Sequence, residues 1–223
     1  VDDGAIDRYN KSDIGDLVRL YDYTNETLSN VMDLTHLEIV SKISIPANVV
    51  SDILASYRAR LELSGTLHHS DTCRMIIEMA NKDEEFREEL SSIYNLIVVD
   101  EFQDVSEAMY QLVMLMVGDK NRMIAIGDGD QSIYDFRGAR SNNCERFAKE
   151  VDGTELCYMT YNRRCRSEIL EYSKEILSAV KNRTDKPLHA IRTGGDVNII
   201  EYTDKLRMFI ELAKSLKDVP HKD

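Results

Sequence analysis

The sequence has little of several features that would define other protein classes. It contains no tryptophan, three prolines and four cysteines among 223 residues, and it lacks the roughly 18 to 20 uninterrupted apolar residues that a bilayer crossing needs. The cysteines Cys73, Cys144, Cys157 and Cys165 form no C-x-x-C pair and are too scattered for a disulfide framework. We therefore expect a cytoplasmic protein with reduced thiols and no membrane span.

Basic residues are in the minority. Lys and Arg number 28 against 40 Asp and Glu, which gives a formal net charge of −12 and argues against nucleic-acid binding, because phosphate contacts need positive surface. The charge is uneven, however. Residues 1–96 contain 9 basic and 18 acidic side chains, whereas residues 137–192 contain 12 basic and 8 acidic ones. The average thus hides a locally positive segment.

The first 95 residues have the periodicity of helices. After Pro46, the apolar residues Val49, Val50, Ile53, Leu54, Tyr57 and Leu61 fall on one helical face, and Gly65 is a typical stop. Asp71 is a candidate N-cap for a further helix. The spacing therefore predicts a helical region that ends near residue 95.

From residue 96 the period changes to that of an α/β fold. Four short runs predict strands, at 96–99, 123–126, 156–160 and 197–202, and helical patterns lie near 105–117, 141–150, 166–182 and 204–217. Such alternation indicates a mainly parallel sheet. The first run is typical of a strand buried on both faces. In parallel sheets, binding and catalytic residues lie at the carboxyl ends of the strands.

The first predicted strand ends in two acids. Asp100 and Glu101 follow Val98-Val99 directly, and nucleoside triphosphatases use such a pair to hold Mg²⁺ and to activate water. In this interpretation Asp100 supports the metal, mostly through water, and Glu101 accepts the proton. The alternative is a turn with two exposed acids and no catalytic role.

The second predicted strand leads into a polar, glycine-containing segment, residues 127–139. Its Gln131 is suited to contact a terminal phosphate and a water together without adding charge. In an extended backbone Tyr134 and Phe136 would point the same way, which suits stacking on unpaired bases, with Arg137 near a phosphate. The alternative is an aromatic pair packed in the core.

Together these segments resemble a known family. D-E-F-Q-D, followed by G-D-G-D-Q-S-I-Y-D-F-R-G-A, closely resembles motifs II and III of the UvrD/Rep/PcrA family of superfamily 1 DNA helicases. Residues 162–170, N-R-R-C-R-S-E-I-L, are similar to motif IV, N-Y-R-S-x-x-x-I-L. The resemblance puts Arg164 on the arginine that reaches the γ-phosphate, while Arg163 and Cys165 replace the usual Tyr and Ser.

The resemblance implies an organisation and a function. Residues 1–95 would be an inserted helical subdomain, 96–190 the latter part of a first RecA-like P-loop NTPase domain with a parallel sheet, and 191–223 the start of a second one. The implied activity is ATP-dependent DNA unwinding or translocation with 3′-to-5′ polarity. ATP and Mg²⁺ would be needed, and single-stranded DNA and duplex junctions would be the partners.

The implied site follows the motifs residue by residue. Glu101, Gln131 and Arg164 would be catalytic. Asp100 would hold Mg²⁺, and with Gln131 and Arg164 it would bind the nucleotide. Single-stranded DNA would contact three further side chains, Tyr134, Phe136 and Arg137.

The phosphate-binding pattern G-x-x-x-x-G-K-[ST] does not occur in these 223 residues. We therefore expect an internal part of a larger helicase that is inactive in ATP hydrolysis by itself. A non-catalytic helicase-like interaction module is the main alternative. A metal nuclease is another, since clustered carboxylates bind two metals, and its ligands would be Asp100, Asp104, Asp128 and Asp130.

Overall fold

The computed structural model describes residues 11–35, 40, 42–120, 122–180 and 186–217. The chain forms two compact units, Val1–Cys157 and Tyr158–Asp223. This division does not coincide with the predicted boundaries after residues 95 and 190, which stay predictions. Among the described helices, none is both long enough and apolar enough to cross a membrane.

The first unit begins with four helices and a short 3₁₀ helix, Val31–Leu34. The helices are α1 (Lys11–Thr27), α2 (Ala47–Ser64), α3 (Asp71–Lys82) and α4 (Glu84–Ser92). They confirm the helical periodicity predicted for this part of the chain. Helix α2 starts after Pro46 and ends at Gly65, whose φ of 65° lies in the left-handed region that terminates helices. The Asp83 carboxylate caps α4 by accepting the Phe86 N–H at 3.1 Å.

An apolar core holds α1, α2 and the segment between them together. Its buried members are Leu20, Tyr21, Val31, Leu34, Val40, Ile43, Ile45, Val50 and Leu54. Burial of this apolar surface is the main stabilising contribution here.

Helix α3 is tied to α1 by polar contacts. The predicted N-cap, Asp71, is instead the first residue of α3 and is buried. Its Oδ1 accepts the Tyr21 hydroxyl at 2.5 Å and the Asn25 Nδ2 at 2.9 Å, while Oδ2 accepts the His68 N–H. The side chain therefore joins two helices rather than capping one, since its oxygens are already occupied.

The α/β part of the first unit has two parallel strands, β1 (Ile97–Val99) and β2 (Met123–Ala125). Ile97 pairs with Met123 and Val99 with Ala125. Helix α5 (Glu107–Val117) connects the strands, and helix α6 (Asn143–Glu150) follows β2 along the chain. The predicted α/β class with parallel strand pairing is thus confirmed.

Only one face of this small sheet is packed against the unit's own core. Val99, Met123 and Ala125 contact the buried cluster of Phe102, Tyr110 and Phe147. The opposite face carries Val98 and Ile124, which are 55% and 49% exposed. The prediction of a strand buried on both faces is therefore wrong within this unit, because the aromatic cluster contributed by α5, α6 and the turn after β1 covers one side only.

The second unit has strands β3 (Tyr161–Arg166) and β4 (His189–Arg192) and helices α7 (Ser167–Ser178) and α8 (Lys205–Lys217). The two strands are parallel, with a register shift between Asn162 and Arg166. Both strands predicted in this region are misplaced. Residues 156–160 and 197–202 are irregular, because β3 and β4 pair with each other instead and strand propensity alone does not specify a partner.

Candidate active site

The two acids after β1 lie in a sharp, exposed turn. Glu101 has a φ of 52°, a left-handed conformation that is uncommon for residues with a side chain. The Asp100 Oδ1 accepts the Glu101 N–H at 2.9 Å and helps to hold this conformation. Backbone strain of this kind tends to occur at functional sites. Both carboxylates face solvent at the carboxyl end of the strand.

The loops after β1 and β2 run side by side. The Ile126 N–H donates to the Val99 carbonyl and the Phe102 N–H donates to the Ile126 carbonyl, each at 2.8 Å. Parallel strands end at the same edge of a sheet, so this arrangement brings the D-E-F-Q-D loop against the start of the segment 127–139. The two motifs thus meet at one sheet edge.

Gln103 connects these two loops. Its side chain is 1% exposed, and its Nε2 donates to the Glu101 Oε2 at 2.7 Å and to the Asp104 Oδ2 at 3.4 Å. Its Oε1 accepts the Asp128 N–H at 2.8 Å. The sequence assigned Gln103 no role. The only available signal was a neutral amide among acids in a polar turn.

Gln131 joins the same network through Asp128. The Gln131 Nε2 donates to the Asp128 Oδ2 at 2.8 Å, and the Asp130 N–H donates to the Asp128 Oδ1 at 3.1 Å. Asp128 thereby caps the short 3₁₀ helix Gly129–Gln131. Two of the predicted catalytic side chains, Glu101 and Gln131, are therefore linked by a continuous series of hydrogen bonds.

Two glycines allow this close approach. A Cβ on Gly127 would lie 2.9 Å from the Gln103 Oε1 and 3.1 Å from the Cys144 Sγ, and one on Gly129 would lie 2.6 Å from the Ser141 carbonyl oxygen. The two separations from oxygen atoms are shorter than real Cβ contacts, and the separation from the sulfur is tighter than most. A side chain at either position would push the second loop away from Gln103 or from the segment before α6.

Asn143, at the start of α6, holds the loop after β1 through hydrogen bonds to its backbone. It is 1% exposed, and its Nδ2 donates to the Phe102 carbonyl at 3.1 Å and to the Val105 carbonyl at 2.8 Å. Sequence reasoning missed this residue, because an asparagine at a helix start has many ordinary explanations. The turn that contains Gln103 is thus fixed between β2 and α6.

An ion-pair cluster joins α5 to α6. Arg146 donates to both carboxylate oxygens of Glu107, at 2.6 and 3.1 Å, and its guanidinium lies 3.9 Å from the centre of the Tyr110 ring. Burial alone would raise the pKa of the Glu107 carboxyl, but hydrogen bonds from Arg146 and Gln111 hold that pKa below its ordinary value. The cluster fixes α6, and with it Asn143, against α5.

The three predicted DNA-contacting side chains lie together on the surface. Tyr134 and Phe136 have ring centroids 6.0 Å apart, and the Arg137 Cζ lies 5.8 Å from the centre of the Tyr134 ring. Phe136 is 73% exposed, so the pair is not core packing. The backbone is a 3₁₀ turn, Asp135–Arg137, rather than extended. Gly138 ends the turn with a φ of 83°, and a Cβ there would lie 2.5 Å from the Thr27 Cγ2.

Arg164 belongs to the second unit and lies within β3. It is exposed, and its backbone N–H donates to the Asn162 Oδ1 at 2.9 Å. The same oxygen accepts the Cys165 N–H at 2.8 Å. The Asn162 side chain therefore organises the backbone around Arg164.

The grouping of the acidic side chains determines which kind of metal site they could form. Among the residues described, no three His, Cys, Asp or Glu side chains are grouped to hold a metal ion, so Asp100, Asp104, Asp128 and Asp130 do not form a nuclease-type centre there. A single exposed carboxylate such as Asp100 fits the binding of one Mg²⁺ ion better than it fits a centre of several carboxylates. This ion keeps several waters and takes one or two carboxylates together with substrate phosphates.

Comparisons with known proteins show the family of this chain. Residues 9–152 match the model of the UvrD/REP helicase N-terminal domain. The chain is 31% identical over 158 residues to the ATP-dependent DNA helicase PcrA of Bacillus subtilis, covering 70% of this chain and 21% of the relative. It is 28% identical over 150 residues to PcrA of Staphylococcus epidermidis, covering 67% and 21%. The chain thus spans about a fifth of the length of these curated relatives. It belongs to the UvrD/REP helicase family.

Proposed function

We propose that this chain is an internal part of an ATP-dependent DNA helicase or translocase that moves 3′ to 5′ on single-stranded DNA. The observation that carries the proposal is the hydrogen-bonded series from Glu101 through Gln103 and Asp128 to Gln131. It places a carboxylate and an exposed carboxamide at one sheet edge. In related phosphoryl-transfer enzymes, a carboxylate or a glutamine orients the attacking nucleophile.

In the proposed reaction, the Glu101 carboxylate accepts a proton from the attacking water as the water oxygen bonds to the γ-phosphorus. The bond from that phosphorus to the β–γ bridging oxygen breaks, and ADP leaves with the bonding electron pair. The Gln131 carboxamide holds that water and a γ-phosphate oxygen. Asp100 would hold Mg²⁺, mostly through water, and the ion would neutralise charge on the nucleotide phosphates. Arg164 would stabilise the charge that develops on the transferred group, a role worth about 10³ to 10⁵ in rate in related enzymes.

The proposed DNA contact uses the exposed pair of Tyr134 and Phe136 with Arg137. Base stacking on an aromatic side chain contributes about 1 to 3 kcal/mol for each base, and the arginine would contact a neighbouring phosphate. Because these residues follow Gln131 in the same loop, DNA binding and γ-phosphate contact share one segment. This shared loop supports a coupling between ATP hydrolysis and movement along DNA.

The proposed organisation assigns residues 1–95 to an inserted helical subdomain, 96–190 to the latter part of a first RecA-like domain, and 191–223 to the start of a second. The parallel pairing of β1 with β2, joined by α5, supports the RecA-like assignment. The phosphate-binding loop would be supplied by the rest of the protein. By itself the chain would therefore not hydrolyse ATP.

The test is Glu101→Gln in the full-length gene product that contains this chain. We expect DNA-stimulated ATP hydrolysis to fall by at least about 100-fold with little change in nucleotide binding, because a neutral amide cannot accept the proton. Steady-state phosphate release measures the effect. Glu85→Gln, on the exposed surface of α4, is the matched control and should retain wild-type turnover. Unchanged turnover in Glu101→Gln would refute the proposed function.

A further inference from the structure

Gln103 uses both halves of its carboxamide, and their orientation is determined by the neighbours. Nε2 faces the Glu101 and Asp104 carboxylates, whereas Oε1 faces the Asp128 N–H. The reversed orientation would place an oxygen against carboxylates and an NH₂ group against an N–H, so both contacts would become repulsive. A buried amide in this position therefore has one acceptable orientation.

The surroundings of Gln103 leave this side chain little freedom. It is almost completely buried, and a Cβ on Gly127 would lie 2.9 Å from its Oε1 and 3.2 Å from its backbone nitrogen. On the other side, Asn143 binds the carbonyl groups of Phe102 and Val105, which flank the turn. The Glu101 carboxylate, by contrast, is exposed. A fixed donor thus holds one oxygen of a solvent-facing acid.

We infer that Gln103 is a positioning residue, which sets the orientation of the Glu101 carboxylate and ties it to the loop that contains Gln131. The inference rests on the proposed function, in which Glu101 accepts the proton of the attacking water. With Oε2 held by Gln103, the second oxygen of this exposed carboxylate is left to accept the proton. Displacement of a catalytic group by about 1 Å can cost about 100-fold in rate.

Two variants test the contacts of Gln103 with Glu101 and with Asp128. Gln103→Met removes both halves of the amide at similar size. Gln103→Glu keeps an acceptor for the Asp128 N–H but places a carboxylate against Glu101. In the full-length gene product we expect both to lower kcat for DNA-stimulated ATP hydrolysis by about 10- to 100-fold. The KM for ATP should stay within about twofold, because Gln103 does not contact substrate.

A matched control is available on α5. Gln111 also donates to a carboxylate, the Glu107 Oε1 at 3.1 Å, but it lies outside the network that reaches Glu101. We expect Gln111→Met to retain wild-type kcat. A loss specific to Gln103 therefore distinguishes positioning of Glu101 from the general cost of removing a glutamine.

A second readout does not depend on activity. In the 223-residue chain, Gln103→Glu should lower the thermal midpoint by about 2 to 4 °C, because two carboxylates then face each other. Adding Glu101→Gln should recover part of this loss, since the pair with residue 101 forms again with donor and acceptor exchanged, while the Asp104 carboxylate still faces the carboxylate introduced at position 103. If Gln103 contributed only through its contact with Asp128, Gln103→Glu would keep that acceptor, the thermal midpoint would change little, and adding Glu101→Gln would recover nothing.

The outcomes are distinguishable. A kcat within twofold of wild type for folded Gln103→Met and Gln103→Glu would overturn the inference, as would a double variant no more stable than Gln103→Glu. In either case a large loss in Glu101→Gln would leave the proposed function standing. Unchanged turnover in Glu101→Gln would instead remove the proposed function on which the inference rests.

Discussion

At the scale of single residues, Glu101 combines an unfavourable backbone conformation with two hydrogen bonds that stabilise it. A left-handed conformation costs about 1 to 2 kcal/mol for a residue with a side chain. The Asp100 carboxylate accepts the Glu101 N–H, and Gln103 holds the Glu101 side chain. The neighbours therefore fix the direction of this carboxylate more firmly than its exposure alone would suggest.

Gly129 permits a test of how closely the second loop must approach the segment before α6. We expect Gly129→Ala to destabilise the chain by about 1 to 3 kcal/mol, because the added carbon would lie 2.6 Å from the Ser141 carbonyl oxygen. Thermal unfolding measures the change. Gly15→Ala in α1 is the control, since no atom lies within 4 Å of its added carbon and alanine favours helices. Equal midpoints for the two variants would contradict the packing described here.

Sequence reasoning predicted the two loops of the candidate site but not the residues that join them. Asp100, Glu101 and Gln131 stand in motifs whose chemistry is visible in residue type and spacing. The role of Gln103 depends on Asp128, 25 residues away, and that of Asn143 on carbonyl groups 38 and 41 residues away. Such contacts exist only after folding, so no local pattern predicts them.

At the scale of helices and strands, local sequence patterns predict the bounds of some elements but not of others. Helix α2 was predictable because Pro46, Gly65 and the apolar spacing lie within the helix or next to it. The strand at 97–99 was predictable to within one residue for a similar reason. Strand β4, at His189–Arg192, was missed and residues 197–202 were wrongly assigned, because pairing with β3 is a non-local choice.

The contact between α5 and α6 predicts a pH dependence. Since the folded-state pKa of Glu107 is lowered, its contribution to stability is present above the unfolded pKa and is lost as the pH falls through the folded value. We expect Glu107→Gln to lower the free energy of unfolding by about 1 to 3 kcal/mol at pH 7. The difference from wild type should shrink below about pH 4.

Urea unfolding at pH 7 and pH 3.5 measures this difference. Glu85→Gln on α4 is again the control and should change stability little at either pH, because the side chain is exposed. A Glu107→Gln effect that is as large at pH 3.5 as at pH 7 would contradict the assignment of the stabilisation to the ionised carboxylate.

At the scale of the whole molecule, the net charge of −12 is unevenly distributed along the sequence. The acidic excess is concentrated in residues 1–96, whereas residues 137–192, with 12 basic and 8 acidic side chains, include Arg137 and Arg164. Positive charge is thus placed where contact with phosphate is proposed. The acidic helical region would contribute little to DNA binding, and DNA affinity should fall steeply with salt.

The most direct test is an unwinding assay with the full-length gene product on duplexes that carry a single-stranded tail at either the 3′ or the 5′ end. We predict ATP-dependent strand separation of the 3′-tailed duplex by the wild-type protein and none by Glu101→Gln. Separation of only the 5′-tailed duplex by the wild-type protein, or equal unwinding by Glu101→Gln, would contradict the proposed function.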